Sequence, residues 1–393
     1  MGNCETVTIT AESGTFTGAC HPESVTVDLS PNTIHYLEVI ARVRQIVDDS
    51  GCEYGGYTLR TNRDRDGNPL VIQQGQPPQP PAPGAVLSPA NASQLENLQT
   101  LAPEARLTAD FVFRGHDQLL SVGYAPKISV WDLESGQESK AIGEGQEEAE
   151  ALTVTVSPDL RLIATGGTNR DNAVRLWDLA GDEMRELGQH TSCCVEALAF
   201  APSGRWLASG DANNTIHIWE VESGRIVTSL EGESAEFLEA FHRLAWLDDE
   251  TLAAGGAAAI YWWDLAEGQL LERIPCPPDA AFFVDVAFDQ QGRWIAAAAQ
   301  DENAYIWDRQ AAEWAIWPAQ AGDDLRHVEF SPNGELLAAT SQGDLLIWDV
   351  ASQVLLARYP VASGDVAAVR FSPDGRILAA GGWDSPVRVW GIP

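Results

Sequence analysis

Between residues 95 and 393 apolar and polar side chains alternate in short runs, each closed by a turn. That is the pattern of half-buried β-strands. One set of runs reads Phe111-Val112-Phe113, Leu152-Thr153-Val154, Val195 to Phe200, Leu244-Ala245-Trp246, Val284 to Phe288, Val328-Glu329-Phe330 and Val366 to Phe371. Turns follow several of them, at Ser157-Pro158-Asp159, Ala201-Pro202-Ser203-Gly204, Ser331-Pro332-Asn333-Gly334 and Ser372-Pro373-Asp374-Gly375. Proline presets φ at the first central position, and glycine then accepts a positive φ. A second strand of small apolar residues comes next, as in Leu207-Ala208-Ser209-Gly210 and Leu378-Ala379-Ala380-Gly381, which lets neighbouring sheets approach closely. A third strand ends in tryptophan, at Trp131, Trp177, Trp219, Trp263, Trp307, Trp348 and Trp390, and six of these seven are followed by an acid. These tryptophans recur at roughly the 40–45-residue period of a radial array of four-stranded blades, which is the architecture predicted.

Residues 1–75 do not carry the repeat. Val7 and Ile9 alternate with polar residues, as do Val25, Val27 and Leu29, and both segments read as strands. Ser30-Pro31 starts a helix, Ile34, Leu37, Ile40, Val43, Ile46 and Val47 recur at helical spacing, and Gly51 ends it. A hairpin is expected from Tyr57 to Gln73, turning at Asp66-Gly67. These elements predict a small α+β domain over residues 1–75. Residues 76–94 hold six prolines and read as an extended, semi-rigid linker.

Residues 189–220, QHTSCCVEALAFAPSGRWLASGDANNTIHIWE, and the last repeat, DVAAVRFSPDGRILAAGGWDSPVRVW, resemble the repeat of the WD-repeat (WD40) family. The resemblance covers residues 95–393. It implies an all-β fold, a seven-bladed propeller over that span. The last blade lacks an outer strand of its own, and the segment from about Gln94 to Leu101 is expected to close the ring by pairing there. Closure removes two sheet edges. The family also places a buried relay at His190, Ser209 and Trp219, with Asn213 standing where it has a turn aspartate. Asp301 and Asp384 hold the matching turn position in blades 5 and 7.

The net charge is −33, of which −28 falls outside residues 1–95. Such a surface repels phosphate backbones and anionic lipid, so nucleic acid and membranes are not expected partners. No apolar run approaches the ~20 residues that span a bilayer, no leader is read, and a cytoplasmic location is expected. Met1 to Thr6 fits the N-myristoylation pattern without the basic patch that stable anchoring needs. Six scattered cysteines form no disulfide framework or zinc motif. Asn62 to Gly67 resembles the start of a calcium loop, but Leu70 and Gln73 stand at its later ligand positions, so a polar turn is the reading. No phosphate loop, HExxH or nucleophile elbow occurs, and no cofactor is expected.

Propellers that this chain resembles usually bind protein segments on the face made by the loops between blades and between second and third strands. Carried onto this chain, that face holds Tyr124, Arg170, Asp171, Thr191, Asp211, Phe282, Asp301, Asp324, Trp383 and Asp384. Tyr124 and Trp383 become neighbours if the ring closes. The expected function is a non-catalytic scaffold or sensor, its propeller binding a basic or apolar protein segment and its N-terminal domain docking a second component. The arginine-rich, lysine-poor, alanine-rich composition suggests a bacterial signalling or defence setting. The alternatives are ligand binding or hydrolysis in the central channel, and calcium modulation through residues 62–67.

Overall fold

A computed structural model describes the backbone of residues 5–10, 15–20 and 23–28. It also describes residues 84–393, apart from 102–107, 126, 146–149, 180–183, 192–193, 233–239, 278–279, 281, 302, 319–323, 342, 362–365 and 384. The chain divides into two compact units, Met1–Pro81 and Ala82–Pro393. In the first, β1 (Glu5–Thr10), β2 (Thr15–Cys20) and β3 (Glu23–Asp28) form an antiparallel sheet in that order. The expected helix over 31–50, the hairpin at 57–73 and the calcium-like loop lie outside the described residues. The α+β domain is therefore not part of the fold described; only its first strands are.

The second unit is a seven-bladed propeller. Blades 1 to 6 are four-stranded sheets over residues 108–142, 151–189, 195–231, 241–275, 283–318 and 327–360. Blade 7 takes three strands from 368–391 and its outer strand from β4 (Glu96–Leu101), far earlier in the chain. In that pair Val387 faces Leu101, Val389 faces Gln99 and Gly391 faces Glu96. This is the expected ring closure by the segment ahead of the first blade.

Residues 84–94 are not a spacer. The N–H of Gly84 donates to the Ile392 carbonyl at 2.9 Å, and that of Leu87 to the Gly375 carbonyl at 2.8 Å. Tyr359 Oη accepts from the Leu95 N–H and donates to the Ala92 carbonyl. Leu87, Ala92 and Leu95 are buried in the core between blades 6 and 7. Proline and alanine made this stretch look like a linker, but Leu87 and Leu95 supply apolar surface that the last two blades cover.

Among the described residues the apolar core falls into seven clusters, and each one straddles the seam between two neighbouring blades. A four-stranded sheet has two faces to bury, so each blade gives one face to each neighbour. The second strands of blades 4 to 7 are rich in alanine; Ala296, Ala297, Ala298 and Ala299 are all fully buried. Each third-strand tryptophan pairs across to the second strand, and the residue two further along decides whether its N–H has an acceptor. In blades 1 to 3 that residue is Ser121, Thr165 or Ser209, and the indole N–H donates to its hydroxyl at 2.9, 2.8 and 2.7 Å. In blades 4 to 7 it is Ala254, Ala297, Ala339 or Ala380. The buried Nε1 atoms of Trp307 and Trp390 accordingly lack an acceptor among the described residues.

That orphan is correctable. Ala380→Ser gives the Trp390 N–H the hydroxyl that Ser121 gives Trp131, and it is expected to add about 0.5–1.5 kcal/mol. Thermal unfolding reads this as a higher melting temperature. A lower one would mean that the seam has no room for the oxygen.

Candidate interaction face

The loops that enter each inner strand and those joining second to third strands share one face of the ring. At the seam between blades 7 and 1, Tyr124 and Trp383 meet with ring centroids 6.2 Å apart and planes tilted by 41°. Tyr124 is 40% exposed and Trp383 is half-buried. The Trp383 N–H donates to the Thr108 carbonyl at 2.7 Å, pinning the last loop to the first inner strand. Closure of the ring therefore builds this pair.

The other expected residues are more dispersed. Arg170 is exposed and pairs with Glu150 at 2.9 Å. Thr191 and Phe282 are exposed, Phe282 ahead of blade 5 and apart from the aromatic pair. Asp324 is half-buried, and Asp384 lies outside the described residues. Asp171 and Asp301 turn their carboxylates inward. Asp171 accepts from the Ala173 N–H and pairs with the buried Arg175 at 2.6 Å. Asp301 accepts from the Asn303 N–H and the Tyr305 hydroxyl, both at 2.8 Å. Burial, with Asp301 beside it, pushes the Tyr305 hydroxyl up to about 12. These acids build the turns that carry the face.

Asp211 does not belong to the exposed face, and Asn213 does not belong to the relay. Asp211 is fully buried and takes the aspartate's place itself. Its Oδ2 meets His190 Nδ1 at 3.2 Å, while Oδ1 accepts the N–H groups of Asn213 and Thr215. His190 Nε2 meets Ser209 Oγ at 2.7 Å, and Trp219 Nε1 donates to the same oxygen. An ionised Asp211 can only accept and an indole can only donate, so neutral His190 carries its proton on Nδ1 and accepts from Ser209. Burial pushes the Asp211 carboxyl up, but the hydrogen bond from His190 and the two backbone N–H groups outweigh it and leave it below its ordinary value. Serine, histidine and aspartate thus line up as in a nucleophilic triad, yet Ser209 is 0% exposed and meets no substrate. The two turn positions lie two apart in the chain, which is why sequence spacing chose the wrong one. A further difference is that Cys194, at the start of blade 3, is disulfide-bonded.

A set of charges around the central channel was missed altogether. Asp110 and Asp285 hold the same place in the inner strands of blades 1 and 5. Each caps the next N–H of its own strand at 2.9 Å and reaches the next blade, at Val154 N (3.1 Å) and Val328 N (3.2 Å). The free edge of an inner strand leaves such N–H groups unpaired, and the preceding blade's aspartate supplies the acceptor. Arg370 donates to Asp110 at 3.0 Å across the closing seam. Arg243 of blade 4 pairs with Glu329 of blade 6 and donates Nε to the Val286 carbonyl of blade 5. Burial would raise the Asp285 carboxyl, but Arg243, His327 and Arg370 hold it down at about 2. The signal was present as single charged residues inside inner-strand runs, but those runs lie a full repeat or more apart and only the ring brings them together.

Among the described residues no group of three or more His, Cys, Asp or Glu is placed to hold a metal ion. No described helix is long and apolar enough to cross a membrane.

A family model described as WD domain, G-beta repeat matches residues 141–178, 181–220, 273–308, 316–349 and 354–391. The sheets outside these matches are chiefly blades 1 and 4. Among the described residues blade 4 shows no relay; Tyr261 stacks on Trp263 at 5.4 Å, with Phe241 edge-on to both. Protein HIR1 of Cryptococcus neoformans var. neoformans is 26% identical over 237 residues, covering 51% of this chain and 26% of HIR1. Periodic tryptophan protein 2 of Arabidopsis thaliana is 24% identical, over 66% of this chain and 28% of that protein. Target of rapamycin complex subunit LST8 of Mus musculus is 22% identical, over 62% of this chain and 76% of LST8. The chain thus spans about a quarter of the length of the first two relatives.

Proposed function

This chain belongs to the WD40 family of G-beta repeats, and from that premise we propose that it is a non-catalytic interaction scaffold. Its propeller binds a protein segment over the seam of blades 7 and 1, and residues 1–75 dock a second component. The carrying observation is the partly exposed Tyr124–Trp383 pair, held by a backbone bond across the closing seam. Partly exposed aromatics on a fixed frame are the usual anchors of an interface. The net charge of −33 favours a basic segment, and an arginine can stack on either ring. Relatives named as subunits of a target of rapamycin complex support assembly with other proteins.

The channel reading gains charges that the sequence had not assembled, but they bridge blades, which supports a structural use. A cytoplasmic setting rests on the sequence alone. A bacterial signalling or defence role rests on composition alone, and the relatives named above are fungal, plant and mouse proteins.

The test is an affinity capture from the source cell. The Tyr124→Ala/Trp383→Ala chain is expected to lose the partner retained by the wild type, at least tenfold, with an unchanged melting temperature. Equal capture by both would move the binding face elsewhere, and a partner held only by residues 1–75 would make the propeller a spacer.

A further inference from the structure

The face opposite the aromatic pair is made by the turns between first and second strands. Between blades 1 and 2, next to that face, lies a cleft of about 240 Å³ lined by Arg114, Gln118, Val130, Ser139, Lys140, Leu160, Arg161, Asp178 and Leu179. Its lining holds three bases and one acid, in a chain with 24 bases and 57 acids. One of the two lysines of the whole chain is here. Arg114 is held by neutral acceptors, with Nε donating to the Leu160 carbonyl at 3.1 Å and a second bond to the Gln118 side chain. Those acceptors orient the guanidinium and leave its charge in place. Lys140 reaches the Leu179 carbonyl at 3.1 Å. Arg161 is exposed.

A second observation points to the same cleft. Leu160 sits at φ +61°, in the left-handed region. The corresponding turns of blades 1, 3, 5, 6 and 7 use Gly115, Gly204, Gly292, Gly334 and Gly375. A leucine there costs roughly 1–2 kcal/mol of backbone strain. At 39% exposed, Leu160 leaves much of its side chain in water while its backbone holds that strain. Its side chain lies over Gly115 of blade 1, at the mouth of the cleft. Blade 2 therefore carries an exposed apolar group, at a cost, beside a local positive charge.

We propose that this cleft docks an acidic, leucine-bearing peptide segment of a partner protein. Carboxylates meet Arg114 and Arg161, with Lys140 beside them, and the apolar side chain meets Leu160, Leu179 and Val130. The volume selects this class. It falls below the ~300–1,000 Å³ of pockets that enclose a small-molecule ligand, and it suits a pair of side chains. The site is independent of the aromatic face, and its failure would leave that reading untouched.

Isothermal titration of the full chain with acetyl-Glu-Leu-Asp-Leu-Glu-amide tests it. Binding with Kd on the order of 100 μM or tighter at low salt is expected, weakening as salt rises. Arg161→Glu, on an exposed side chain, is expected to weaken binding at least tenfold with no change in melting. Leu160→Gly is expected to weaken it severalfold while the melting temperature holds or rises, because the strain is released. A merely structural Leu160 would leave affinity unchanged. No binding at about 1 mM peptide, or binding that ignores both substitutions, would overturn the proposal. So would binding of inorganic phosphate without measurable peptide affinity, which would mark a small-anion site.

Discussion

Removal of residues 1–101 is expected to leave a propeller that no longer unfolds as one ring. The loss takes out β4, exposing the free edge of Ser385–Gly391 and the buried Val387 and Val389 on it. The burial of Leu101 alone is worth about 1.5–3 kcal/mol. The lost ladder adds ~0.5–1.5 kcal/mol for each hydrogen bond. Together these rival the ~5–15 kcal/mol by which a typical domain is stable. Removal of residues 1–94 is expected to be intermediate. It strips Leu87 and Ala92 from the core and takes the Tyr359 hydroxyl's acceptor, the Ala92 carbonyl, for about 2–4 kcal/mol. Removal of residues 1–83 is expected to leave the propeller's melting temperature within a few degrees. Calorimetry and size exclusion across the three truncations read the order directly. Equal stability of the chains starting at 84 and at 95 would return residues 84–94 to the role of linker.

Asp211→Ala is expected to cost about 3–5 kcal/mol, because it strands His190 Nδ1 and two backbone donors in a dry site. Asn213→Ala, on an exposed side chain, is expected to change stability by less than about 0.5 kcal/mol. A reversal of that order in denaturant unfolding would restore Asn213 to the relay. The same site makes the wild type acid-sensitive. Asp211 is held below its ordinary value, so its contribution is full above the unfolded carboxyl's ~3.9 and fades as pH falls through the lower folded value. His217 stacks on His190 at 4.3 Å. Burial lowers its affinity for protons. The unfolded state thus binds the His217 proton first, and stability falls as pH drops below ~6.5 toward the folded value. Asp211→Ala should shrink the low-pH limb in the carboxyl range, where Asp285 still contributes, and leave the histidine limb.

The blades were legible because each is a local unit, with alternating strands and a closing tryptophan inside a single repeat, and in several a proline-glycine turn as well. Even the closing strand could be read, as an extra strand-like segment ahead of the first blade. What stayed hidden depends on closure of the ring. The aspartates at 110 and 285 look like ordinary strand residues until the next blade's N–H groups stand opposite. The strap at 84–94 is proline- and alanine-rich, and only the far end of the chain shows what covers Leu87. On the candidate face, adjacency of Tyr124 and Trp383 followed from topology. The inward turn of Asp171 and Asp301 did not, because Arg175 and Tyr305 are strand residues whose side-chain direction no loop pattern reveals.

The seam between β4 and the last strand also sets a clock. Glu96–Leu101 must wait for a partner, Ser385–Gly391, that is the last strand of the ring to be made. At the ~5–20 residues per second of protein synthesis, that delay is on the order of 15 to 60 seconds. Six blades can assemble while a lone strand stands unpaired. Its sequence, Glu-Asn-Leu-Gln-Thr-Leu, tolerates that interval: four of the six side chains are polar, and one is charged. A more apolar version would pair as well in the finished ring, yet would spend the same interval as a sticky edge open to other nascent chains. The composition of β4 suits the minute before closure as much as the structure after it.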